Sequence, residues 1–413
     1  MESTTVDDDG RPGVVTEDSA EVKNPIAFLG LKGSTNQWAS WIAILVAIWI
    51  LITAVSVIGD GFSTAVGDQA EELFQFATNP FVALTIGILA TVGTQSSSTT
   101  TSIVVGLAAG GLPMEIAIPM LMGANLGTTM TSTLVSVGMV GNKDQFRRAF
   151  SAATVHDFFN ITSVVILLPL ELTTGFLQRT SEAVSDALTG GGDGGGNIVS
   201  SAFTAFGDVI SAVTSPGADF VDWAVSPLPD VTAGILQIVI GIALILVIIT
   251  FIGNMMKALM VGRAKEILHN AIGRGPLMGI FSGTAITVVV QSSSTTTSLV
   301  VPMAGSGAFS LKQIYPFTVG ANIGTTLTAL IASFAFSGVE GTLALQAALI
   351  HLFYNLASAI IIFGIPFLRP LPLQGARWLG GVVAERKIFG VLWVLGISIV
   401  LPLTFILVST VFF

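Results

Sequence analysis

The sequence contains no cysteine, which rules out disulfides and thiolate metal sites from the start. Histidine is scarce too. His156, His269 and His351 stand far apart, in none of the short spacings used by metal-ligating histidines. Charge is thin: Asp, Glu, Lys and Arg make up 10% of the chain, well below the roughly one quarter of a soluble domain. The net charge is −9 and no basic stripe exists, so nucleic acid has nothing to bind.

What is present is apolar. Hydrophobic residues account for 52% of the 413 positions, and several runs reach the roughly 20 residues that cross a hydrocarbon core. An all-α polytopic membrane protein is expected. Residues 1–36 are acidic and polar, and read as a disordered cytoplasmic tail without the basic start and early apolar core of a signal peptide. The run from Trp38 to Ile58 then serves as an uncleaved anchor. The stretch "GDGFSTAVGDQAEELFQFATNP" after it is too polar to cross and suits an interfacial amphipathic helix.

Eight polar residues interrupt the next apolar region: Gln95, Ser96, Ser97, Ser98, Thr99, Thr100, Thr101 and Ser102. The same octet returns as Gln291 to Ser298. The apolar flanks are too short to span alone, so each octet is expected at the tip of a re-entrant helical hairpin, buried in protein or facing a watery cavity. Two further motifs repeat in the same order, "GANLGTT" (Gly123 to Thr129) with "GANIGTT" (Gly320 to Thr326), and "HDFFN" with "HLFYN". Gln291 follows Gln95 by 196 positions, Asn322 follows Asn125 by 197, and His351 follows His156 by 195. Three motifs at one offset make an internal duplication.

The expected organisation follows. Residues 37–174 form the first repeat, 175–230 an extracytoplasmic loop with the run "GGGDGGG", and 231–368 the second repeat. Residues 369–413 give a cytoplasmic loop and one extra C-terminal span, about Ile388 to Phe413. Each repeat carries a transmembrane helix broken at its GAN motif. Basic clusters at Lys143, Arg147 and Arg148, at Lys257, Arg263, Lys265 and Arg274, and at Arg369, Arg377, Arg386 and Lys387 alternate as cytoplasmic loops should. The amino terminus is then cytoplasmic. Three crossings separate the hairpins, so the second repeat is inverted, the architecture of secondary transporters with a site at the midplane.

Each octet ends one half-helix and begins another. Beginning helices offer Ser and Thr caps, unpaired N–H groups and the positive dipole end, which suit an anion. Ending helices offer free carbonyls, which suit a hard cation such as sodium. Gln95 and Gln291 add carboxamide oxygens, Asn125 and Asn322 add amides, and Thr128, Thr129, Thr325 and Thr326 add hydroxyls. No Lys or Arg stands at these tips, so an anion there calls for a co-bound cation. A lone octet of this kind reads as helix–helix packing; its exact repetition between half-length helices favours a site. His156 with Asn160, and His351 with Asn355, share a helical face and suit interhelical hydrogen bonding equally well. Asp157 is an intramembrane carboxylate, a costly and usually functional group, and its repeat counterpart is Leu352.

The strings "QSSSTTTSIVV", "MGANLGTT", "QFRRAFSAATVHDFFN", "VVVQSSSTTTS", "VGANIGTT" and "HLFYN" resemble the type II sodium–phosphate cotransporter family from about residue 38 to 413. The resemblance implies a sodium-coupled phosphate importer of the plasma (inner) membrane working by alternating access, with no cofactor beyond its coupling sodium ions and no enzymatic role. It implies phosphate at Gln95, Ser96, Ser97, Ser98, Ser292, Ser293 and Ser294. It implies sodium at Gln95, Ser96, Asn125, Thr128, Thr129, Gln291, Ser292, Asn322, Thr325 and Thr326, with His156, Asp157, Asn160, His351 and Asn355 as supporting polar groups. Inorganic phosphate, sodium and the lipid bilayer are its partners, and a homo-oligomer is left open. Two departures stand out. The central loop is cysteine-free and glycine-rich, and Val140-Gly141-Asn142 stands where electrogenic members resemble one another in an Ala-Gly-Asp. The missing carboxylate points to an electroneutral cycle of two sodium ions per divalent phosphate. The competing readings are another oxyanion as cargo, protons as the driver, and a passive anion channel. An intramembrane serine hydrolase fails for want of a nucleophile-elbow glycine pattern.

Overall fold

The computed structural model describes residues 24–30, 33–66, 79–190, 198–271 and 275–412, and every regular element among these residues is helical. The acidic tail falls mostly outside them, although its last part is ordered: a 3-10 turn at Ala27–Leu29 precedes helix α1 (Gly33–Val66). The anchor therefore starts earlier than Trp38. The expected interfacial helix lies largely outside the described residues.

Helices α2 (Pro80–Thr94) and α3 (Ser97–Ala109) flank the first octet's Gln95 and Ser96. With 15 and 13 residues they reach about 20 Å each, short of the about 30 Å of hydrocarbon. Helix α4 (Met114–Leu126) passes through a 3-10 turn at Gly127–Thr129 into α5 (Met130–Val137), so the first GAN segment is broken. Helix α6 (Lys143–Thr174) carries "HDFFN". Asn142 caps it, accepting from the Asp144 and Gln145 N–H groups.

The expected central loop is instead helical over α7 (Phe176–Thr189) and α8 (Ile198–Val225). The glycine run, most of which lies outside the described residues, separates two segments whose apolar residues recur at helical spacing. Helix α9 (Asp230–Ala271) continues through the polar stretch expected beyond its apolar part.

The second half then matches the first: α10 (Pro276–Val290), α11 (Ser293–Ser306), α12 (Leu311–Ser333) and α13 (Gly338–Gly364). One expectation fails here, because α12 runs unbroken through Gly320–Thr326. Glycine in the motif serves another purpose. A Cβ on Gly320 would sit 1.9 Å from the Ile280 carbonyl oxygen, and one on Gly123 would sit 2.1 Å from that of Leu84. These glycines let two helix backbones touch, as small residues do inside membranes.

The chain ends with α14 (Pro370–Glu385), α15 (Ile388–Leu395), a π-turn at Gly396–Val400 and α16 (Leu401–Phe412). Among the described residues five helices are long and apolar enough to cross a membrane: Gly33–Val66, Lys143–Thr174, Asp230–Met256, Leu311–Ser333 and Gly338–Gly364. This is an all-α membrane protein. Packing follows the duplication: α1 lies on α9, α2 on α4 as α10 on α12, and α3 on α13 as α11 on α6. Each octet-bearing helix thus packs against the histidine-bearing helix of the other half.

Candidate functional site

The two octet tips are built alike. Gln95 (φ 54°, ψ 23°) and Gln291 (φ 55°, ψ 27°) are the only non-glycine residues with positive φ among the described ones. Left-handed backbone costs an L-residue about 1–2 kcal/mol, and the glutamine side chain offsets part of it. Gln95 Nε2 donates to the Val92 carbonyl at 2.8 Å, and Gln291 Nε2 to that of Val288 at 2.5 Å. Each amide caps the helix it ends. The following serines turn to extended backbone, and their Oγ atoms accept from the N–H three residues on: Ser96 from Thr99 and Ser292 from Thr295, both at 3.2 Å. Ser97, Ser98, Ser293 and Ser294 follow in the first turns of α3 and α11 and are buried. The first N–H groups of such a turn have no partner within their helix.

Each glutamine is also held from outside its hairpin. Gln95 Oε1 accepts from Thr131 at 3.4 Å, and Gln291 Oε1 from Thr328 at 3.0 Å. These threonines went unread in the sequence, although both stand two residues after their GTT and repeat with the motif. They tie each tip to the GAN-bearing segment beside it.

The GAN threonines mostly serve their own helix. Thr128 donates to Ala124 O, Thr325 to Ala321 O and Thr326 to Ile323 O. Thr129 differs, reaching Asp157 Oδ1 on α6, while Asp157 Oδ2 accepts from Trp393 Nε1 of α15 at 3.0 Å. Trp393, in the unrepeated last span, carried no sequence signal for this role.

The asparagines and His156 meet in one buried chain across the halves. His156 Nε2 lies 2.5 Å from Asn322 Oδ1, Asn322 Nδ2 donates to Asn160 Oδ1 at 2.7 Å, and Asn160 Nδ2 to Asn125 O at 2.7 Å. Ser132 and Thr297 add a second link between the halves at 2.8 Å. The repeat counterparts are not brought together. Asn355 Nδ2 donates only to His351 O within α13, and both ring nitrogens of the fully buried His351 lack a partner, as does Asn355 Oδ1. Among the described residues the ion pairs are Lys143–Glu385 and Asp144–Arg147, both on exposed side chains and neither involving the tips.

The candidate site is therefore two hydroxyl-rich helix starts, each beside a helix end, with a buried amide chain linking the GAN segments of the two halves. Such a set offers N–H and O–H donors to an oxyanion and oxygen ligands to a hard monovalent cation. Among the described residues no three His, Cys, Asp or Glu cluster as they would around a transition metal.

A family model described as Na+/Pi-cotransporter matches residues 50–186 and 233–369. Sodium-dependent phosphate transport protein 2A of Ovis aries is 32% identical over 421 residues, which cover 86% of this chain and 65% of that protein. The 2A protein of Rattus norvegicus is 32% identical over 419 residues, with the same coverages. Sodium-dependent phosphate transport protein 2B of Homo sapiens is 29% identical over 443 residues, covering 88% and 64%. The chain thus spans just under two thirds of these relatives' length. No solved structure matches it.

Proposed function

From the chain's membership of the Na+/Pi-cotransporter family, we propose that it is a sodium-coupled symporter importing inorganic phosphate by alternating access. The observation that carries this reading is the pair of octet tips, built alike to within a few degrees at Gln95 and Gln291. Phosphate is assigned to Gln95, Ser96, Ser97, Ser98, Ser292, Ser293 and Ser294, where helix starts and hydroxyls supply donors without a fixed positive charge. Sodium is assigned to Gln95, Ser96, Asn125, Thr128, Thr129, Gln291, Ser292, Asn322, Thr325 and Thr326, whose oxygens suit a hard cation. His156 and Asn160 hold the halves together, with His351 and Asn355 as their counterparts. Each ion lowers the electrostatic cost of burying the other.

The wider arrangement belongs to the same proposal. The two halves are inverted repeats with re-entrant hairpins, 37–174 and 231–368, and the site lies at the midplane between them. The amino terminus is cytoplasmic, 175–230 is extracytoplasmic, and the membrane is the plasma membrane. The protein moves its cargo without covalent chemistry or a cofactor. Asn142 caps α6, and its neutral side chain stands where the family resemblance implies a carboxylate, which favours an electroneutral cycle.

Reconstituted liposomes test this. An inward sodium gradient is expected to drive labelled phosphate above equilibrium, unchanged by a valinomycin-set potential, while potassium and proton gradients fail. Equilibration without accumulation would indicate a channel. No phosphate movement under any gradient would overturn the substrate.

A further inference from the structure

Two buried polar atoms of α13 have no partner, although their repeat counterparts on α6 do. His351 is 0% exposed and Asn355 1%. His351 Nε2 and Asn355 Oδ1 are both unbonded, whereas His156 Nε2 and Asn160 Oδ1 are both bonded to Asn322. An unpaired polar group in the interior costs more than an ordinary hydrogen bond returns, so each such group calls for a reason.

The duplication says which partners the orphans lack. In the closed chain His156 Nε2 meets Asn322 Oδ1, Asn322 Nδ2 donates to Asn160 Oδ1, and Asn160 Nδ2 donates to Asn125 O. Carried to the other half, the same three bonds join His351 Nε2 to Asn125 Oδ1, Asn125 Nδ2 to Asn355 Oδ1, and Asn355 Nδ2 to Asn322 O. Here the two amide donors of that second chain are spent inside their own helices. Asn125 Nδ2 reaches Leu121 O at 3.3 Å, and Asn355 Nδ2 reaches His351 O at 2.9 Å. The helices are already apposed, since α13 packs on α4 as α6 packs on α12. Both chains are therefore encoded, and one is closed. Closing the second would pair two buried orphans, so the closed first chain is what holds it open.

We propose that His351 and Asn355 are positioning residues of the opposite-facing state: there His351 pairs with the Asn125 side chain and Asn355 joins Asn125 to Asn322, while His156 and Asn160 release theirs. This exchange rests on the reading of the halves as inverted repeats and deepens it, by naming the groups that set the balance between the two facings. Removing a group bonded in one state alone shifts the population toward the other. The two histidines should then act with opposite sign, which a merely structural role does not produce.

The chain has no cysteine, so labels can be placed without removing any. Gln145 and Ser306 are exposed beside the bond from Arg148 Nε to Gly305 O, where α6 meets α11. Nitroxides on Gln145→Cys and Ser306→Cys are read by double electron–electron resonance, on the purified full chain in phosphate-free nanodiscs. Two distances are expected. His156→Ala should shift their ratio about tenfold toward the state absent here, and His351→Ala about tenfold toward the state described here. Asn160→Ala should follow His156→Ala and Asn355→Ala should follow His351→Ala, each by about threefold or more. They decide the matter should a histidine variant fail to fold. A single distance in the parent and every variant, shifts of the same sign in both halves, or no shift in either α13 variant would overturn the exchange. Phosphate uptake is measured separately. Its absence with the opposite shifts intact would sink the cargo and leave the exchange standing.

Discussion

In the first half the helix carrying Gly123–Thr129 gives way to a 3-10 turn, whereas in the second the helix carrying Gly320–Thr326 runs through unbroken. The motifs differ only in Leu126 against Ile323, so the motif itself does not decide the conformation. The neighbours do. Thr129 has Asp157 to donate to, while Thr326, with Leu352 opposite in the register, turns back onto Ile323 O of its own helix. The histidine helices differ in the same way. His156 and Asn160 complete a chain of hydrogen bonds to Asn322 and Asn125, and His351 and Asn355 do not. Identical parts in the two halves are thus held in two arrangements within one molecule.

Where the halves agree, a change should act equally on both. Gly123→Ala and Gly320→Ala each place a methyl group about 2 Å from a backbone oxygen. Each is expected to lower stability by about 3 kcal/mol or more and to abolish uptake, as read by melting in detergent and by liposome assay. A large inequality between the two would break the equivalence of the hairpin packing.

Where the halves differ, paired changes should act unequally. Asn160→Ala strands the Asn322 amide, at about 1–3 kcal/mol for a buried group, and takes one of its donors from the Asn125 carbonyl. Asn355→Ala loses one bond within its own helix, at most about 1 kcal/mol. Equal melting shifts would show that the chain across the halves contributes nothing.

Asp157→Leu makes the first half resemble the second. Slower amide hydrogen exchange over Thr129–Ser132, by about tenfold, is the expected sign that the turn has become regular helix. Unchanged exchange would mean that the break has another cause. The smallest effect concerns the tips. Thr131→Val and Thr328→Val each remove a bond of about 1 kcal/mol and should slow uptake several-fold. Thr328 should have the larger effect because its contact is 3.0 Å against 3.4 Å.

Much of this was legible in the residues. The octets, their flanking short helices and the break at Gln95 and Gln291 follow from eight polar residues inside apolar sequence. The pairing of His156 and Asn160 on one face was readable from their spacing, though their partner Asn322 was not, because it lies 162 residues from Asn160. Helices α7 and α8 were hidden by the acids and glycines around them, which drew attention from a helical period in Ile198–Val225. The unbroken α12 and the contact of Trp393 with Asp157 depend on which helix stands opposite, and no local pattern records that.

The backbone contacts at Gly123 and Gly320 also set the mechanics of the molecule. Backbone pressed on backbone at these two points leaves no side chain there to re-pack, so small sliding steps are costly. Helices α2 and α4 therefore behave as one strut, and α10 and α12 as another, each carrying its tip along undeformed. Movement between the halves would then fall on the seams where α3 meets α13 and α11 meets α6. Spin labels placed across a strut should keep their separation in every state, and labels across a seam should not.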